Sequence, residues 1–271
     1  RVAGVDSRRD LPTFAPETLR AWYADRGPCV TDPDHDVVLY ADVYTNYFDP
    51  ARGKAAIETL EALGVRVHLP EVPESGRAPL SQGMVETARS RAEAVNAALV
   101  GHLDRGRDVV VVEPSDLAMF RGDYERLLPE RSAERLADGT YGIMEYLYGL
   151  LENGGDVDAL SRAGSSVTVA YHAHCQGRTL GLDSYTTAVL EAAGYEVRTS
   201  NVECCGMAGS FGYKREYYEV SEVVGDRLRD DLGETAGERL VADGTSCGAR
   251  LAALYDRPAP HPVELLAPTG K

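Results

Sequence analysis

The chain has 271 residues, 44% of them hydrophobic and 26% charged, with a formal net charge of −15. That length buries one large core or two moderate ones, and no stretch approaches the roughly 18 uncharged apolar residues of a membrane span, so a cytoplasmic protein is expected. The acidic excess, with Lys54, Lys214 and Lys271 as the lysines, argues against nucleic acid as a partner and reads as a halophilic surface whose self-repulsion salt would screen.

The chain opens on Arg1 and reads like sequence already in progress, so a module of a longer polypeptide is expected. Residues 1–35 read as an N-terminal arm, with a helix over 16–25 entered at Pro16. DVVLYADVYT (36–45) predicts a strand, RGKAAIETLEALG (52–64) a helix closed by Gly64, and VRVHLP (65–70) a second strand. A long helix follows over about 81–105, and RDVVVVEPSD (107–116) has the continuous apolar character of a strand buried on both faces. These elements make a first lobe over 36–130, and residues 131–164 read as a helical connector. The same order then returns in a second lobe over 165–271. It has strands at 165–175, 195–202 and 239–244, and helices at 179–194, 214–232 and 248–255. The expected fold is α/β, two pseudo-repeated lobes, each a parallel β-sheet flanked by helices.

The repeat can be tested internally. Sliding residues 37–77 onto 167–207 at a constant offset of 130 needs no gap and matches Val37 with Val167, Leu60-Glu61-Ala62 with Leu190-Glu191-Ala192, Gly64 with Gly194, Val67 with Val197, Val72 with Val202 and Gly76 with Gly206. These identities fall on strand positions and helix-closing glycines, as an internal repeat should. At an offset of 131, Asp116 falls on Cys247. Four of the five cysteines, Cys175, Cys204, Cys205 and Cys247, then sit just beyond strand ends of the second lobe, opposite Thr45, Glu74, Ser75 and Asp116 of the first.

Ligand sites in open parallel sheets form outside the carboxyl ends of the strands, so these cysteines can converge although they span 73 residues. Structural disulfides are the bland reading, but a reduced cytosolic chain of this size needs no staple. Zinc usually takes C-x2-C knuckles. Vicinal thiolates reach two metal atoms more naturally than one, which favours a polynuclear iron–sulfur cluster and keeps zinc as the alternative. In ECCGMAGSFGY (203–213), Gly206, Gly209 and Gly212 allow close backbone approach and offer N–H groups to sulfide or an anionic ligand.

The spacing C-x28-CC-x41-C, with HAHCQGR, ECCGMAGSFGY and DGTSCGAR around the cysteines, resembles the cysteine-rich CCG domain. That family includes the heterodisulfide reductase B subunit, the iron–sulfur subunits of glycolate oxidase and anaerobic glycerol-3-phosphate dehydrogenase, and the C-terminal region of FAD-linked D-lactate and related 2-hydroxyacid dehydrogenases. YADVYTNYFDP, APLSQGMVETAR and VVVVEPSD resemble the last, fused version, in which the positions of Glu74-Ser75 and Asp116 are typically cysteine. The resemblance implies electron transfer. FAD on a partner domain or subunit oxidises a 2-hydroxyacid or glycerol 3-phosphate, and iron–sulfur domains relay electrons to a quinone or other membrane-side acceptor. Two departures stand out. The first lobe has no cysteine at the motif positions, and CGAR puts Arg250 where the fullest motif has a last cysteine, leaving four thiolates, enough for one [4Fe–4S] cluster.

His172 and His174 share a strand face with each other and could ligate or hydrogen-bond a sulfur, or be ordinary strand-end histidines. His261, Arg178 and Arg250 could reach the same edge, and Cys29 reads as an isolated thiol. There is no GxSxG elbow, P-loop, HExxH or ferredoxin cysteine run, so any substrate chemistry is expected on another module. An interaction module with degenerate cysteines is the alternative from a different class.

Overall fold

The structure is a computed structural model that describes residues 4–163, 167–233 and 239–268. The expected strand start at Ser165 and Ser166 lies outside the described residues, as do both chain ends. Helix α1 (Leu19–Arg26) is capped by Thr18, whose hydroxyl accepts the Ala21 N–H, and leads to β1 (His35–Tyr40). The strand stops five residues short of the expected end because the Asp42 carboxylate accepts the N–H groups of Tyr44 and Thr45 and starts a short helix, α2 (Val43–Tyr47). There follow α3 (Pro50–Ala62), β2 (Val65–His68), α4 (Arg77–Ser81) and α5 (Val85–Leu103). Strand β3 (Asp108–Val111) also ends early, because Pro114 occupies the first position of α6 (Pro114–Arg121). The expected helical connector is interrupted. Between α7 (Glu130–Asp138) and α8 (Ile143–Glu152), the three residues Thr140–Gly142 form β4 and add an edge to the first sheet.

The second lobe runs β5 (Val167–His172), α9 (Cys175–Thr179), α10 (Leu182–Ala192), β6 (Tyr195–Thr199), α11 (Tyr218–Leu232), β7 (Arg239–Ala242) and α12 (Thr245–Tyr255). Every pair of named strands among the described residues is parallel, in the orders β2-β1-β3-β4 and β6-β5-β7, so the lobes share the plan of their first three strands. The pairing corrects the repeat register at its start. Val37 pairs with Val67 and Val169 with Val197, so Val67 corresponds to Val197 at an offset of 130 but Val37 corresponds to Val169 at 132. The two-residue step lies between the strands, where α3 has 13 residues and α10 has 11. The counterpart of Cys175 is therefore Val43, not Thr45, each the first helical residue after a capping side chain, His174 or Asp42.

One apolar core runs through both lobes. Val37, Leu39 and Ile57 of the first and Val169, Tyr171 and Leu190 of the second meet Ile143 and Leu147 of α8. Each such side chain contributes about 1.5–3 kcal/mol on full burial. The lobes also meet at a helix terminus: α12 begins at Gly244, which has no side chain to cap it, and Glu113 of the first lobe accepts from Thr245 N–H at 2.9 Å and Thr245 Oγ at 2.6 Å. The N-terminal arm clamps the second lobe. Asp6 N–H donates to Tyr213 O at 2.8 Å, and the Arg9 guanidinium donates to Gly212 O at 2.9 Å and Ser221 Oγ at 2.8 Å, fastening the loop after the paired cysteines.

That loop depends on a left-handed glycine in each lobe, Gly76 at φ 86° and Gly206 at φ 89°. A methyl at Gly206 would lie 2.6 Å from the Ser221 carbonyl oxygen, whereas at Gly209 (φ 63°) nothing lies within 4 Å. Left-handed backbone costs a non-glycine residue about 1–2 kcal/mol, and overpacking adds about 1–3 kcal/mol. Gly206→Ala should accordingly lower stability in urea denaturation more than Gly209→Ala; equal losses would show that the contact with α11 does not matter.

Candidate metal centre

Cys205, the second of the paired cysteines, meets Cys247 at the carboxyl edge of the second sheet. Cys247 lies in the first turn of α12, the helix whose start Glu113 holds, and its thiol reaches Cys205 Sγ at 3.5 Å. Both side chains are buried. A disulfide has its sulfurs about 2.05 Å apart, and all five cysteines are free, so the bland disulfide reading does not hold in this structure. The Cys247 S–H donates to Cys205, which stabilises the Cys205 thiolate and drives its pKa down, helped by a His172 ring nitrogen and the Met207 N–H against the cost of burial. The same contact and burial push Cys247 up.

His172, at the end of β5, joins this pair. One of its ring nitrogens and the two sulfurs lie within 4.8 Å of one another, all three residues buried, a donor set that can hold a metal ion. Cys204 is half-buried and accepts the Gly206 N–H at 3.4 Å. Cys175 is exposed at the start of α9. Burial pushes its thiol up, and the charges of Cys204 and then Cys205 push it further, so Cys175 shares the electrostatic neighbourhood of the pair.

Other sequence candidates take structural posts. His174 caps α9, its Nδ1 accepting the Gln176 N–H at 3.2 Å, and its ring packs on Gly244, where an added Cβ would come within 2.4 Å. It is not in the group of three. Gly209 lies in the open part of its loop. Arg250 is buried and ties α12 to α11 through Glu222 at 2.6 Å and the Ser221 carbonyl at 3.3 Å. Arg178 donates to the backbone carbonyl of Ser200. His261 caps a 3-10 turn, accepting the Val263 N–H at 3.1 Å, and Cys29 stands exposed in the N-terminal arm. Ser200, which bonds His172, is not among the sequence candidates, because a serine after a strand carries no signal.

The donor chemistry fits a soft, thiophilic metal or cluster. Two buried sulfurs in contact share one proton, and His172 keeps a buried Nε2 without a partner among the described residues. Buried polar atoms are seldom left in that state without a missing group to satisfy them.

Residues 169–252 match the cysteine-rich domain family CCG. The chain is 27% identical over 267 residues to the C subunit of anaerobic glycerol-3-phosphate dehydrogenase from Escherichia coli (strain K12), covering 97% of this chain and 66% of that protein. It is 27% identical over 227 residues to lactate utilization protein A of Bacillus cytotoxicus, covering 79% of this chain and 88% of that one. It is also 25% identical over 237 residues to D-2-hydroxyglutarate dehydrogenase of Pseudomonas putida, covering 86% of this chain and 22% of that protein. The chain thus spans just under two thirds of the first relative's length and under a quarter of the last.

At the equivalent place in the first lobe the sulfurs are replaced by oxygens. Ser75 Oγ donates to Asp116 Oδ1 at 2.5 Å where Cys247 donates to Cys205 in the second lobe, and Tyr40 stands in the strand position of His172. Burial, and then the charge of Asp42, push the Asp116 carboxyl well above the usual carboxylate range, against the pull of Arg77 and Ser75. An acid with a raised folded pKa keeps a proton that the unfolded chain has already lost, so its contribution to stability falls as pH rises from the ordinary carboxylate range toward neutrality. Asp116→Asn, which has no proton to lose, should flatten that decline in urea denaturation at a series of pH values. Superimposable profiles for the two proteins would refute the assignment.

Proposed function

We propose, from the match of residues 169–252 to the cysteine-rich domain family CCG, that the chain is the iron–sulfur electron-transfer part of a flavin-linked dehydrogenase. The observation that carries this reading is the buried Cys205–Cys247 contact at 3.5 Å with Cys204 and Cys175 in the same neighbourhood. Cys175, Cys204, Cys205 and Cys247 hold one [4Fe–4S] cluster, which when bound accepts and passes single electrons. The chain's own part is to present four thiolates, to supply the Gly206 N–H toward Cys204, and to keep Cys205 and Cys247 out of water.

The names of the relatives support the oxidation of glycerol 3-phosphate or a 2-hydroxyacid such as lactate or 2-hydroxyglutarate by a partner flavin (FAD) domain or subunit. A quinone or other membrane-side acceptor would take the electrons. No helix among the described residues is long and apolar enough to cross a membrane, and the proposal places any membrane contact on a partner. The lysine-poor acidic composition suits concentrated salt.

The His172–Cys205–Cys247 group favours one competing reading, a single zinc with mixed nitrogen and sulfur ligands. Metal analysis separates the two. Protein purified without oxygen should contain iron and inorganic sulfide in equal amounts, about four of each for a cubane cluster, and show broad visible absorption. Replacing Cys204 and Cys205 together by serine should remove both. One zinc per chain in a colourless protein would overturn the cluster, and full iron content in the double variant would overturn the ligand set.

A further inference from the structure

The two ring nitrogens of His172 face different company. Nδ1 lies 2.7 Å from Ser200 Oγ. A hydroxyl has one proton to donate and two lone pairs to offer. Arg178 Nη2 donates into that oxygen at 3.3 Å and into the Ser200 carbonyl as well. Among the described residues the other acceptor near the hydroxyl is the Val202 carbonyl, at 3.5 Å, outside the roughly 2.5–3.0 Å range of a sound O–H···O bond. The Ser200 proton therefore goes to Nδ1. An imidazole that accepts at Nδ1 carries its own proton on Nε2.

Nε2 is buried and makes no hydrogen bond of full geometry to a described residue, although the His172 side chain bears on the Cys205 thiolate. With Nδ1 committed to Ser200, Nε2 is the nitrogen that His172 has left to offer the Cys205 and Cys247 sulfurs. Histidines that ligate metals show the opposite pattern. They donate the N–H of the non-ligating nitrogen to a carboxylate, carbonyl or water and turn a bare lone pair to the ion. At His172 the nitrogen facing away from the sulfurs receives a proton instead of giving one.

We infer that His172 is not a metal ligand but a hydrogen-bond donor, its Nε2–H directed at the Cys205–Cys247 sulfurs, with Ser200 and Arg178 as the positioning residues that fix its tautomer. The consequence for electron transfer rests on the cluster reading above, because hydrogen bonds to cluster sulfurs help set reduction potential, favouring the more negative reduced state. The tautomer stands independently of it.

The test has two arms. In the first, nitrogen-15 NMR of histidine-labelled, reduced, metal-free protein reads the tautomer, with the His172 signals assigned by their loss in His172→Gln. The expected result is protonation at Nε2, and a reduced preference for it in Ser200→Ala. An Nδ1–H tautomer in the wild type would overturn the inference, and would do so whether or not the protein binds iron. In the second, anaerobically purified His172→Leu should keep the iron and sulfide content of the wild type while its midpoint potential shifts negative, and His172→Gln, whose amide can donate, should return the potential toward the wild-type value. Loss of iron in both variants would make His172 a ligand, and an unchanged potential in His172→Leu would remove the donor role. A wild type that contains no iron would instead defeat the cluster reading, leaving the tautomer to the first arm.

Discussion

Two sulfur atoms 3.5 Å apart with their side chains buried set the terms for the second lobe. One proton between them leaves one negative charge, and a second charge in the same place is prohibitively costly unless a cation or a metal-rich group neutralises it. The surroundings keep the two sulfurs there. Cys247 is fixed because Glu113, from the other lobe, supplies the cap that Gly244 lacks. Cys205 is fixed by the left-handed turn at Gly206, packed onto α11. Arg9 and Asp6 hold the far side of the same loop from the N-terminal arm. The site is thus built by both lobes and the arm, although its sulfurs come from one lobe.

The two lobes give two chemical answers to one backbone problem. The order and parallel pairing of the first three strands, and the capped helix start after the first strand, are the same in each. Where the second lobe converges sulfurs, the first converges a serine and a carboxyl that satisfy each other, with Arg77 at 3.5 Å from the carboxyl. Such a self-satisfied pair asks for no metal. The first lobe then serves the second mechanically, through the shared core and the cap on α12.

Much of this is legible in the sequence for physical reasons. Continuous apolar runs and helix-closing glycines mark the parallel lobes, and cysteines placed after strand ends mark the candidate cluster ligands. What stays hidden there is short or non-local. Strand β4 is three residues, too few to show a period. The slip that sets Cys175 against Thr45 arises because α10 is shorter than α3, and a gapless comparison has no means of absorbing two residues. The apolar runs reaching 45 and 116 overstate their strands because capping by Asp42 and a proline-started helix at Pro114 end them locally. Alternation alone pairs His174 with His172, but the strand ends at His172, and beyond it the period of two no longer applies. Arg250 and Ser200 take their meaning from residues far away in the chain, Glu222 and His172, which no local pattern encodes.

The most direct measurement is diffraction from crystals grown without oxygen, recorded on either side of the iron absorption edge. The expected result is one compact iron peak among Cys175, Cys204, Cys205 and Cys247, with nothing beside Ser75 and Asp116. Anomalous signal at the zinc edge alone, centred on His172, Cys205 and Cys247, or iron bound in the first lobe, would contradict a single thiolate-held cluster in the second.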